Sequence, residues 1–64
     1  MQGKVVKKLA DKGFGFILGE DKKEYFFHLS ALKNVSFNDL RIEQEVTFED
    51  AENQKGLRAE DIYV

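Results

Sequence analysis

Apolar and polar residues alternate along this chain in short runs, and turn-forming clusters separate the runs. The alternation predicts a first strand over residues 3–9. Ala10-Asp11-Lys12-Gly13 then turns the chain into a second strand over residues 14–18. Gly19-Glu20-Asp21-Lys22-Lys23 is a polar hairpin connection to a third strand over residues 24–29. Ser30-Ala31-Leu32 follows as a single helical turn with Ser30 as its cap. Residues 33–43 show no clear period and read as a long connection. Residues 44–49 alternate cleanly, with Val46 and Phe48 inward. Residues 50–56 read as a loop, and residues 57–63 as the last strand. Ala59 and Ile62 both suit a core but lie three apart, which predicts a bulge or a change of register.

Five short strands at near-regular spacing predict an all-β fold, a small five-stranded antiparallel β-barrel. Closure removes the exposed edges that a small sheet would otherwise present. The expected inward set is Val5, Ile17, Tyr25, Phe27, Leu40, Val46, Phe48, Ala59 and Ile62. Residues 1–64 are expected to form a single domain, and the chain has no internal repeat or low-complexity segment.

Candidate chemistry concentrates in Lys12-Gly13-Phe14-Gly15-Phe16-Ile17. Residues i and i+2 of a strand share a face, so Phe14 and Phe16 stand together while Ile17 points the other way. In Tyr25-Phe26-Phe27-His28-Leu29, Phe26 and His28 share one face and Tyr25, Phe27 and Leu29 the other. Side by side, the two strands make a surface of flat rings. The competing assignment makes Phe14 and Phe16 core and turns Ile17 outward; the inward fit of Ile17 favours outward rings. Outward rings suit a flat ligand, and nucleobases are the commonest one.

Charge sharpens this picture. The net charge of −2 argues weakly against a polyanion. Residues 1–33, however, carry seven lysines against four acids, whereas residues 34–64 carry three basic residues against eight acids. The aromatic strands thus lie in the basic half, and local field decides where a polyanion lands. The chain has no cysteine, and its lone histidine cannot build a metal site. No apolar run approaches a membrane span, and the N-terminal residues lack the hydrophobic stretch of a signal peptide, so a cytoplasmic location is expected. Gly13-x-Gly15 precedes a strand rather than a helix, so it is no dinucleotide fingerprint, and no activated nucleophile or carboxylate pair suggests an enzyme.

These residues resemble the cold-shock domain family, five-stranded barrels of the oligonucleotide/oligosaccharide-binding class. Lys12 to Ile17 matches the family's first ribonucleoprotein motif, Lys-Gly-(Phe/Tyr)-Gly-Phe-Ile. Phe26-Phe27-His28 resembles the second, usually Phe-Val-His, and Ser30-Ala31 continues the match. Gly3-Lys4-Val5 resembles the family's opening, and Phe37, Gly56 and Ala59 fall where its pattern places them. The chain departs where the family usually carries Lys-Trp-Phe: Val6, Lys7 and Lys8 stand there instead. Leu29 replaces an aromatic residue that often ends the second motif. Tyr25 and Phe27 exceed the family's usual valines, so some inward neighbour must be small.

The resemblance implies binding of single-stranded RNA or DNA with low sequence specificity, as in RNA chaperoning, by a monomer without a small-molecule cofactor. The expected contacts are Lys7, Lys8, Lys12, Phe14, Phe16, Phe26, His28, Phe37 and Lys55. Lys7 and Lys8 alternate, so at most one joins the ring face unless the strand bulges. Phe37 either packs its loop down or extends the stacking surface. Stacking contributes roughly 1–3 kcal/mol per base, so the missing rings predict a binder weaker and more salt-dependent than a typical member. The alternative function is a protein-interaction barrel with a degenerate nucleic-acid face, motivated by the missing Trp, Leu29 and the acidic half.

Overall fold

A computed structural model describes all of residues 1–64. Its strands are β1 (Gln2–Leu9), β2 (Phe14–Gly19), β3 (Glu24–His28), β4 (Glu45–Asn53) and β5 (Gly56–Tyr63). They form a closed barrel in the order β1-β2-β3-β5-β4, with β4 returning to β1 through pairs such as Gln2 with Thr47. The ladders are antiparallel except between β3 and β5, which meet through one parallel pair, Phe26 with Arg58. No helix is long and apolar enough to cross a membrane.

The interior is built from the nine expected side chains, eight from the strands and Leu40 from the 33–43 connection: Val5, Ile17, Tyr25, Phe27, Leu40, Val46, Phe48, Ala59 and Ile62. Tyr25 packs on Phe48 with ring centroids 5.1 Å apart. Gly15 is the small neighbour that the bulk of Phe27 requires. A Cβ there would lie against the Lys7 carbonyl oxygen and only 2.9 Å from Phe27 Cε1.

Three local expectations change. Residues 50–53 continue β4 rather than opening a loop, and only Gln54 and Lys55 turn the chain into β5. Polar, acidic residues fill that stretch, so its sequence resembles a loop, yet pairing of Asp50–Asn53 with Gly56–Ala59 makes it strand. The helical turn spans Leu29–Ala31, one residue early, and Leu29 leaves β3 to enter it. Its cap is His28 rather than Ser30: the Ser30 backbone N–H donates to His28 Nδ1 at 3.1 Å.

The expected bulge is present. Thr47 pairs with Tyr63 but Glu49 with Glu60, so β5 carries one extra residue there. Asp61 absorbs it at φ 50°, and both Ala59 and Ile62 are fully buried. A second bulge lies in β1, where Val5 pairs with Ile17 and Lys7 with Phe16.

Candidate nucleic-acid interface

β2 and β3 bring Phe14, Phe16 and Phe26 onto the outer surface of the barrel, each half-buried. Ile17, the residue after Phe16 in β2, is 0% exposed, so the rings are on the solvent side. The three support one another. Phe14 lies 5.2 Å from Phe26 in a tilted contact, while Phe16 meets Phe14 at 6.2 Å and Phe26 at 6.0 Å, both edge to face. Their mutual contact makes one continuous, partly wetted platform.

His28 stands opposite Phe14 in the β2–β3 ladder and is exposed. Its Nδ1 faces both the Ser30 amide at 3.1 Å and the Ser30 hydroxyl at 2.9 Å. A nitrogen accepting from the amide carries no proton, so this network assigns the neutral ring's proton to Nε2. The cap thereby orients the ring and leaves an N–H donor on its outer edge.

The β1 bulge decides the fate of the two lysines. Unbroken alternation from buried Val5 would turn Lys7 inward and Lys8 outward. The extra residue reverses this. Lys7 pairs with Phe16 and joins the ring face, whereas Lys8 pairs with Gly15. Lys8 Nζ instead donates to the Leu40 carbonyl and lies 5.1 Å over the Phe37 ring. Phe37 itself is half-buried and packs on Phe27 at 6.2 Å. Lys8 and Phe37 thus pin the 33–43 connection to the barrel, apart from the trio of rings.

Lys12 is exposed in the turn that leads into Phe14. That turn needs glycine at its end, because Gly13 adopts φ 73°. Lys55, at the β4–β5 turn, lines a groove shared with Phe16, Phe26, Asn53, Leu57 and Arg58. Arg58 is absent from the sequence-based expectation. Its guanidinium lies 5.6 Å from the Phe26 centroid, although the two residues are far apart in sequence. Its place next to inward Ala59 marked it as outward-facing; only the β3–β5 pairing puts it beside the rings.

The comparisons agree with this geometry. A family model described as "'Cold-shock' DNA-binding domain" matches residues 1–64. Cold shock protein 1 of Lactiplantibacillus plantarum is 42% identical over 53 residues, covering 83% of this chain and 80% of that protein. The major cold shock protein of Streptococcus pyogenes serotype M6 is 41% identical over 61 residues, 95% of this chain and 91% of its own. Cold shock-like protein CspC of Bacillus cereus is 37% identical over 62 residues, 97% and 95% of the two chains. With the motif rings outside a closed five-stranded barrel and the match running end to end, the chain belongs to the cold-shock domain family of nucleic-acid-binding domains.

Proposed function

We infer that the ring face binds single-stranded RNA or DNA, without catalysis and with modest base preference, in the manner of an RNA chaperone. The observation that carries this reading is the outward trio Phe14, Phe16 and Phe26 over a fully buried Ile17. A small domain leaves three contiguous rings partly wet when something flat covers them. Bases stack on these rings, His28 Nε2–H donates to a base acceptor, and Lys7, Lys12 and Lys55 meet phosphates. A protein that holds single strands depletes hairpins by mass action and needs no fuel.

Titration with a short pyrimidine oligonucleotide at low salt, followed by backbone amide shifts, tests this. Shifts are expected at Gly13–Ile17 and Phe26–His28. Phe16→Ala should weaken binding about 5- to 150-fold, the loss of one stacking platform, while the circular dichroism spectrum stays that of the barrel. Absence of shifts in those two segments at high micromolar oligonucleotide would refute the reading and favour a protein-interaction barrel.

A further inference from the structure

The β4–β5 side of the ring face holds a groove whose chemistry differs from the open platform. Phe16 and Phe26 supply its apolar floor, and Asn53, Lys55, Leu57 and Arg58 its wall. The polar side chains there offer donors. Asn53 Oδ1 already accepts the Lys55 backbone N–H at 2.8 Å, which leaves its NH2 group to the groove. Arg58 Nε is buried without an acceptor, and Glu60 Oε2 lies 3.8 Å away, an ion-pair distance beyond hydrogen-bond reach. The guanidinium is therefore held by the Phe26 face and by charge, and the side chain keeps 38% of its surface exposed along the groove.

A donor-lined wall beside a ring floor suits a flat ligand with two adjacent acceptors on one edge. Guanine presents O6 and N7 side by side, the pair that a forked guanidinium matches. Adenine sets an amino donor beside N7, and uracil and thymine place an N–H between their carbonyls. Those edges oppose donor to donor. Cytosine offers O2 and N3 but covers less of the two rings than a purine.

We propose that Arg58 is a specificity-determining residue that makes this groove a guanine subsite for a bound single strand. The proposal rests on the ring face being a single-strand binding surface. It is tested with an all-thymine hexamer and hexamers carrying one guanine at each position in turn. Each is titrated against the wild-type protein, Arg58→Gln and Arg58→Lys by fluorescence anisotropy at fixed salt. The wild type should prefer the best guanine hexamer about tenfold. Arg58→Gln should abolish that preference, weakening the guanine hexamer about tenfold more than the all-thymine one. Arg58→Lys keeps the charge and the apolar stem but loses the fork, and should lose most of the preference as well. Equal weakening on every sequence, with a shallower salt dependence, would make Arg58 a phosphate contact and overturn the proposal. All-thymine binding with no guanine preference in the wild type would overturn it while leaving the single-strand reading intact. Failure to bind any hexamer would overturn both.

Discussion

Tyr25 shows how one side chain serves two environments. Its ring is core, 2% exposed, while its hydroxyl donates to Asp21 Oδ2 at 2.5 Å across the β2–β3 hairpin. That hydrogen bond, reinforced by burial, pushes the phenol up to about 12, and the same bond holds the Asp21 carboxyl below its usual range. The signs follow by linkage. A raised phenol contributes stability that is fully present below its unfolded value of about 10 and is lost as pH climbs towards 12. A depressed carboxyl contributes stability present above about pH 4 and lost as pH falls through its folded value. Denaturant melts of the wild type and Tyr25→Phe across pH should therefore converge at both extremes. A constant gap between the two proteins from pH 3 to pH 12 would show that the hydrogen bond carries no linked proton.

Strand β2 is squeezed between its neighbours, and this is where the barrel tolerates least. Gly15 faces Phe27 on one side and the Lys7 carbonyl on the other, and a methyl group there has no flexible chain end to displace. Gly15→Ala should cost about 2–3 kcal/mol, lowering Tm by roughly 10–20 °C in a protein of this size. A loss below about 3 °C in a thermal melt would mean that β1 and Phe27 give way freely. The bulge in the adjoining β1 matters for a different reason. It shifts one lysine onto the ring face and sends the next to the 33–43 connection, where its ammonium meets Leu40 and Phe37. A single inserted residue thus exchanges the parts of two chemically identical side chains.

Charge acts over the entire barrel. The chain is net acidic at −2, yet Lys7, Lys12, Lys55 and Arg58 are placed on or beside the ring surface. Acids are most frequent on β4 and β5, where Glu49 stands directly opposite Glu60, and Glu60 in turn lies 3.8 Å from Arg58. A local cluster of cations draws a polyanion despite the overall sign of the chain. If three or four phosphates are neutralised, affinity for a single strand should fall about 20- to 50-fold between 50 and 200 mM salt. A salt-independent affinity would mean that stacking alone holds the strand.

Alternation named the part of the interior that the strands supply. Period-2 patterning in five runs marks eight of the nine buried side chains, because a pleated strand sends successive residues to opposite faces whatever its neighbours are; the ninth, Leu40, lies in the connection outside any strand. It also turned Phe14, Phe16 and Phe26 outward, and the three-residue spacing of Ala59 and Ile62 announced the β5 bulge. The acidic tail of β4 escaped because its strand character comes from pairing with β5 rather than from its own residues. The His28 cap escaped because a ring nitrogen serves there in place of the usual hydroxyl. What the linear order dictated, then, is which face each side chain occupies along an unbroken strand, a property local to the backbone. Which lysine reaches the rings, and that Arg58 lies beside Phe26, were decided by bulge register and by β3 meeting β5. Both depend on contacts between strands distant in sequence, and no single strand's pattern encodes its neighbour.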